Sequence, residues 1–396
     1  MKDDKSIFTK AVHADIDLAK NHGALSVPIF NASVYGFEDA DEGSAVHNYE
    51  KPGYYYGRLG NPTQTALEKS VASLENGEAA LAFSSGMAAI SAAILSNVRS
   101  GEHIVALQSM YSTTTSLFAF LSENFDISVT YVGATEAKNY ADAIRPETKI
   151  LWIETPSNPL LNISDISAIA NISKEAGIIS VVDNTFATPF NQRPLELGAD
   201  LTVHSATKYF GGHSDLSAGL LVGNRERLAD AGLKMTRLLG GSIAPQVAWL
   251  ILRGIKTLAL RMNQHNNNAY GIAHMLQSHP KIKAVYYPGL ETQKNYDIAK
   301  QQMDGFGGMV SFDLGEFDTA KRFLNELDVC TIATSLGGVE TIIQHSAAMT
   351  HAVLSKEERA KAGISEGLLR LSVGIEDEED IKADLLNALD RIGPAV

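Results

Sequence analysis

The sequence predicts an α/β protein, a mostly parallel central sheet covered by helices and followed by a smaller C-terminal α+β domain. Two observations predict it. From residue 61 to residue 259 short apolar runs alternate with amphipathic stretches, the order expected of strand, crossover helix and parallel strand. After a long helical stretch near 244–277 the rhythm changes: His279-Pro280 breaks the chain, and short strands then enclose two helices.

The elements follow in order. Residues 1–60 carry Phe30, Tyr35, Phe37, Tyr49, Tyr54, Tyr55 and Tyr56 without a sustained helical or strand period. They read as an irregular N-terminal arm that packs against something else, such as a neighbouring subunit. Asn61-Pro62-Thr63 makes a turn and a helix start, with Leu67, Val71 and Leu74 on one face. Apolar runs at 80–83, 103–107, 127–132, 149–154, 178–183, 201–205 and 219–222 are the strands of a large domain, 61–259. Between them Asp165 to Ala176 keeps the helical period through Ile166, Ile169, Ala170 and Ser173. Ile178 to Val182 is apolar on both faces, as a covered parallel strand requires. In the small domain, 260–396, strands are expected at 282–287, 309–314, 329–334 and 368–373, with helices at 318–327 and 377–391.

Composition narrows the function. The 396 residues are 45% hydrophobic and 20% charged, a globular balance that excludes bulk disorder. Lys and Arg number 33 against 46 Asp and Glu, a net charge of −13 that argues against nucleic acid or an anionic membrane as partner. The single cysteine, Cys330, excludes an intrachain disulfide framework and reads as an inert thiol beside Val329 and Ile332. Met1 to Lys20 has no apolar run, and the most membrane-like stretch, Ala79 to Leu95, is interrupted by Ser and Gly. A cytoplasmic protein is expected.

In parallel sheets ligands gather at the carboxyl ends of strands. Phe83-Ser84-Ser85-Gly86-Met87-Ala88 ends a strand and opens a helix, where free N–H groups and the helix dipole suit a phosphate. A Ser-Gly turn capping a helix explains it equally. Val181-Val182-Asp183 puts a carboxylate after a doubly apolar strand, costly without a cation and otherwise a turn residue. Val203-His204-Ser205-Ala206-Thr207-Lys208-Tyr209 sets a lysine after another apolar strand, flanked by two hydroxyls. Leu369-Arg370-Leu371 places an Arg inside an apolar strand; its head either reaches solvent or captures a carboxylate bidentately.

Taken together these residues suit pyridoxal phosphate, which needs an amine for its aldehyde, a carboxylate for its ring nitrogen, donors for its phosphate and a flat partner for its ring. Lys208, Asp183, the Gly86 and Met87 amides with Ser205 and Thr207, and Tyr111 fill these needs in turn.

From Tyr35 to the C-terminus the chain resembles the trans-sulfuration (Cys/Met metabolism) family of pyridoxal-phosphate enzymes. The motifs are Tyr56-Gly57-Arg58 with Asn61-Pro62-Thr63, Ser84-Ser85-Gly86-Met87-Ala88, Glu154-Thr155-Pro156-Ser157-Asn158-Pro159, Val182-Asp183-Asn184-Thr185-Phe186, Ser205-Ala206-Thr207-Lys208-Tyr209, Ser335-Leu336-Gly337-Gly338 and Arg370-Leu371-Ser372-Val373-Gly374. The resemblance implies the aspartate aminotransferase-like fold (type I) and a homotetramer built from dimers with shared active sites. It places Tyr56 and Arg58 on the phosphate in the neighbouring subunit, with Ser85, Gly86, Met87, Ser205 and Thr207 around the cofactor in their own. It stacks Tyr111 on the ring, sets Asn158 against the ring hydroxyl, and gives Ser335 and Arg370 the substrate carboxylate. Lys208 and Tyr111 become the proton-transfer groups.

The stretch Ile343 to His351, with Glu357-Glu358-Arg359 and Gly363 to Gly367, is most similar to methionine γ-lyases. Those typically have Cys where this chain has Thr113, and a Lys-Asp pair near Thr236-Arg237; cystathionine enzymes usually have Glu where it has Thr334. Thr113 and Thr334 therefore read as substrate-recognition positions. The expected reaction is α,γ-elimination of a sulfur amino acid to a thiol, ammonia and 2-oxobutanoate. Cystathionine γ-lyase, cystathionine γ-synthase and O-acetylhomoserine sulfhydrylase activity are the alternatives.

Other classes fit less well. No strand is followed by Gly-x-Gly-x-x-Gly, and no Gly-Lys pair supports a P-loop. A metal-dependent hydrolase would need His204, His213 and Asp215, whose spacing fits no helical face, so no metal is expected.

Overall fold

The structure is a computed structural model that describes residues 5–13, 19, 21, 23–349, 352, 355–361 and 363–392. Thr350 and His351, and much of the stretch from Met1 to Lys20, lie outside these. The larger sheet has seven strands: β1 (Ala79–Phe83), β2 (His103–Leu107), β3 (Ser128–Val132), β4 (Thr148–Glu154), β5 (Ile179–Asp183), β6 (Leu201–Ser205) and β7 (Gly219–Gly223). Their order is β1-β7-β6-β5-β4-β2-β3.

The sheet is parallel from β3 across to β6, while β7 runs antiparallel between β6 and β1. The reason lies in the connections. Helices cross over between the parallel strands, whereas β6 returns to β7 through the segment 206–218 without a named helix. Ser205 pairs with Gly219 across the mouth of that segment, and Lys208 sits inside it. Every residue of β2 and β7 is buried, as are Ile150 to Glu154 and Ser180 to Asp183, because helices cover both faces of the sheet.

A second sheet holds β8 (Ala284–Tyr286), β9 (Met309–Asp313), β10 (Thr331–Ile332), β11 (Ile342–His345) and β12 (Leu368–Ser372) in the order β10-β11-β12-β9-β8. It is antiparallel except for the β10–β11 pair. Its inner face packs on the helices Leu258–Ser278 and Glu378–Arg391 through Ile272, Leu276, Phe312, Leu371, Leu385 and Leu389.

Three expectations change. The stretch 244–277 is two helices, Pro245–Ile255 and Leu258–Ser278, and the carbonyl of Gly254 at their junction accepts from Arg261 Nη2 at 2.8 Å. Strand β11 was not expected: two of its four residues, Gln344 and His345, are polar yet buried, which hides the apolar signal of a strand. The arm is less irregular than its composition suggests. It contains helices Ile7–His13 and Ala40–His47, the latter capped by Asp39 Oδ1 accepting from the Glu42 N–H at 2.8 Å, and a short turn of helix at Gly57–Leu59.

Candidate active site

The carboxyl ends of β1, β4, β5 and β6 meet β12 and the loop after β10 around one cavity of about 570 Å³. Lys208, the group on which the reading turns, reaches into it and donates from Nζ to Ser335 Oγ at 2.6 Å. Burial, and then the Arg370 guanidinium, lower its pKa from 10.5 to about 8. An ordinary surface lysine keeps its proton until well above neutral pH; this one gives it up at about pH 8.

Asp183 ends β5 and is buried. Its Oδ1 accepts from the Thr185 hydroxyl at 2.6 Å and the Thr185 N–H at 3.0 Å. Burial raises its pKa, which the Thr185 bonds and nearby His204 oppose. Thr185 Oγ1 accepts in turn from the Ser205 N–H at 2.9 Å, tying β5 to β6 at the base of the cavity.

Ser85 caps the helix Gly86–Leu95, its Oγ accepting from the Ala88 N–H at 3.1 Å. The first amides of that helix have no acceptor within it and open towards the cavity. Glycine is required here: a Cβ on Gly86 would lie 2.9 Å from Ser205 Oγ, and one on Gly219 would run into the Ser85 carbonyl. The Thr207 hydroxyl bridges the Ala218 backbone, donating to its carbonyl at 3.2 Å and accepting from its N–H at 3.1 Å.

Arg370, in the middle of β12, is buried. It donates from Nη1 to Asn158 Oδ1 at 2.9 Å and from Nη2 to the Ser335 carbonyl at 2.8 Å, while its Nε has no partner among the described residues. The head does not reach solvent. Ser335 holds φ at 82°, a left-handed conformation that is strained for serine and turns its hydroxyl and carbonyl towards Lys208 and Arg370. Tyr111 stands at the rim, 44% exposed, at the start of the helix Ser112–Phe125.

The cavity thus brings together Ser85, Gly86, Met87, Tyr111, Thr113, Asn158, Asp183, Ser205, Thr207, Lys208, Thr334, Ser335 and Arg370. It does not include Tyr56 and Arg58. In this chain Arg58 donates to the Arg237 carbonyl and lies 5.6 Å from the Tyr56 ring centre. Sequence reasoning missed three lining residues that carry weight. Thr185 orients Asp183, Met349 lines the wall, and Glu154 is a second buried carboxylate beside Asp183. The signal for Glu154 was present, since it ends an apolar strand just as Asp183 does.

The metal-site candidates are not assembled. His204 is wholly buried with its Nε2 at 2.5 Å from Glu75, and His213 faces the Gly211 carbonyl at 2.8 Å. Among the described residues no group of three His, Cys, Asp or Glu could hold a metal ion. Nor is any described helix long and apolar enough to cross a membrane.

Residues 8–390 match the sequence profile of the Cys/Met metabolism PLP-dependent enzymes. The chain belongs to that family. It is 46% identical over 390 residues to an L-methionine γ-lyase of Fusobacterium nucleatum, covering 97% of this chain and 98% of the relative. It is 45% identical to a cystathionine γ-lyase of Bacillus subtilis, covering 97% and 99%. The crystal structure of a cystathionine γ-synthase from Xanthomonas oryzae pv. oryzae, in complex with aminoacrylate and cysteine, superposes with a TM-score of 0.93 at 39% identity, covering 99% of this chain and 100% of the other. The α/β fold with its mostly parallel sheet is that of the family's pyridoxal-phosphate enzymes.

The residues present fit the cofactor that membership implies. The Gly86 cradle with the amides at the start of its helix suits the phosphate, and Asp183 Oδ1 is occupied by Thr185 while Oδ2 has no such bond among the described residues. Lys208 supplies an amine whose pKa is lowered to about 8.

Proposed function

We propose that the protein is a PLP-dependent carbon–sulfur lyase that carries out α,γ-elimination on a sulfur amino acid, in the manner of a methionine γ-lyase. The observation that carries this reading is the charge layout of one cavity. Among the described residues, Lys208, Asp183, Glu154 and Arg370 are its only charged lining residues, whereas Thr113, Thr334, Ile90 and Met349 are uncharged. One end can hold an amino acid's carboxylate and ammonium group. The rest favours a side chain without charge, such as a methyl thioether, over the second amino acid head of cystathionine.

When bound, pyridoxal 5'-phosphate supplies an electron sink for the pair left by a broken Cα–H bond. The chain supplies everything else. Asp183, its Oδ1 fixed by Thr185, offers an anion to the ring nitrogen. The amides of Gly86 and Met87, with Ser205, offer donors to the phosphate, and Thr207 holds the lysine segment to Ala218. Arg370 and Ser335 receive the substrate carboxylate, and Asn158 orients Arg370. Neutral Lys208 takes the α-proton and moves a second proton from the β-carbon. Tyr111, at the rim, gives a proton to the departing sulfur. Water then hydrolyses the released four-carbon imine, so that one water is consumed and the products are a thiol, ammonia and 2-oxobutanoate.

Residues 1–60 would serve as an arm reaching a neighbouring subunit, 61–259 as the cofactor domain and 260–396 as the small domain. The assembly would be a cytoplasmic homotetramer of dimers with Tyr56 and Arg58 on the partner's phosphate. Their place outside their own cavity, with Tyr56 42% exposed, supports that reading.

The test is a reconstituted protein incubated separately with methionine, cystathionine, homocysteine, cysteine and an acylated homoserine. Fastest 2-oxobutanoate release from methionine is expected. Thioether formation outpacing keto-acid release would replace elimination with γ-replacement, and preference for cystathionine would favour the cystathionine γ-lyase alternative. Mixed oligomers of Lys208→Ala and Arg58→Ala subunits should regain activity through sites that carry neither change; no recovery would overturn shared sites.

A further inference from the structure

Glu154 is a buried acid that none of the assignments above uses. It ends β4 in register with Asp183 on β5, so the two carboxylates stand side by side at the floor of the cavity. A second buried carboxylate beside the first costs free energy unless its oxygens are used. Both are. Glu154 Oε2 accepts from the Tyr111 N–H at 2.9 Å, and Oε1 accepts from the Asn158 N–H at 3.2 Å.

Each of those amides belongs to a residue that faces the reaction. Tyr111 begins the helix Ser112–Phe125, and Asn158 Oδ1 accepts from Arg370. One carboxylate therefore clamps two loops, one carrying the aromatic on the cofactor side and the other orienting the guanidinium on the substrate side. Asn158 is further anchored where its carbonyl accepts from Ser109 Oγ at 3.0 Å, two residues before Tyr111. The two loops are thus cross-linked twice. Of these links the Glu154 clamp alone runs through a side chain of the central sheet.

We propose that Glu154 is a positioning residue of the site: by holding the Tyr111 and Asn158 amides on its two oxygens, it fixes Arg370 in the orientation that receives the substrate carboxylate. The inference rests on the proposed function, in which Arg370 has that role. Burial, and then Asp183, hold the Glu154 pKa well above the usual carboxylate range, and the two N–H bonds and Arg370 oppose them only in part.

The experiment uses the reconstituted holoenzyme and two probes without a leaving group, norleucine and pentylamine, which differ only by the carboxylate. Binding is read from the change in visible absorbance. The wild type should prefer norleucine, and Arg370→Met should abolish most of that preference. Glu154→Gln keeps the size of the side chain but turns one acceptor into a donor, so one amide is released. It should cut the norleucine-to-pentylamine affinity ratio about tenfold, leaving pentylamine affinity within about twofold. Glu154→Asp, which keeps the charge but is too short to span both loops, should show the same loss and serves if the amide variant fails to fold.

An unchanged ratio in either folded variant would overturn the proposal. So would equal weakening of both probes, which marks a general structural role. A wild type that shows no preference for norleucine, or no absorbance on adding pyridoxal phosphate, would instead remove the reading of the site itself.

Discussion

The two sheets contribute to the cavity in opposite ways. The seven-stranded sheet offers the ends of its strands: Glu154, Asp183 and Ser205 are the last residues of β4, β5 and β6, and Ser85 follows β1. There, parallel order lines up several chain termini at one edge and brings polar groups together without breaking the covered core. The five-stranded sheet offers Arg370 from the middle of β12 and Ser335 from a strained turn after β10. An antiparallel sheet has no common edge of carboxyl ends, so it must spend a core position on a buried cation. The half proposed to hold the cofactor is thus built from positions that cost little, and the half proposed to hold the substrate from positions that cost much and are kept in place by hydrogen bonds to Asn158 and Ser335.

That contrast is open to direct attack. Lys208→Ala strikes the cofactor half and should lower turnover by about three or more orders of magnitude while the fold persists. Borohydride treatment should no longer fix the cofactor to the protein, as mass spectrometry of the peptide spanning residue 208 would show. Turnover near the wild-type rate would end the assignment. Arg370→Lys strikes the substrate half. It replaces a planar fork by a point charge, and KM should rise about tenfold or more with a smaller change in kcat. A fall in kcat with KM unmoved would mean that the two halves do not divide the work as drawn.

A subtler change tests what the cavity wall selects. Thr334→Glu introduces an anion beside Ser335, and the ratio of cystathionine to methionine turnover should rise several-fold as the far ammonium group finds a partner. A constant ratio would move selectivity away from this position. The smallest effect joins the halves. Because burial and Arg370 bring Lys208 to about 8, capture of free pyridoxal phosphate by the apoprotein should accelerate as pH rises towards that value and level off above it. Arg370→Met removes a positive neighbour, so Lys208 would hold its proton more tightly and the capture curve should move to higher pH. An unmoved curve would show burial acting alone.

The sequence carries the cofactor half plainly because each of its residues breaks a local pattern: a carboxylate, a Ser-Gly turn or a lysine directly after an apolar strand. Glu154 obeys the same rule, and both it and Thr185 stand inside the motifs quoted above, but their hydrogen bonds run to neighbouring residues and show only in the structure. The substrate half is harder to read. Arg370 stands out within β12, but the strand beside it, β11, pairs Gln344 with Arg370 and so puts a polar residue where a pattern search expects an apolar one. The strain at Ser335 is invisible in composition, since it arises only from the loop closure that turns its carbonyl to Arg370. The arm fails for another reason. Its helix Ala40–His47 is held by the Asp39 cap and has a single buried residue, Val46, so periodicity had little to report.

The antiparallel insertion of β7 has a mechanical result. The segment bearing Lys208 leaves the sheet at β6 and re-enters it at the adjacent strand, sealed by the Ser205–Gly219 pair and by Thr207 against Ala218. Its Cα is therefore anchored like a bead on a fastened ring. What remains free is a tether of five single bonds from Cα to Nζ, which reorients on the picosecond-to-nanosecond scale when solvent reaches it, far faster than whole sheets swing. The nitrogen can trade one neighbour for another by spinning its own stem while the scaffold beneath it stays still.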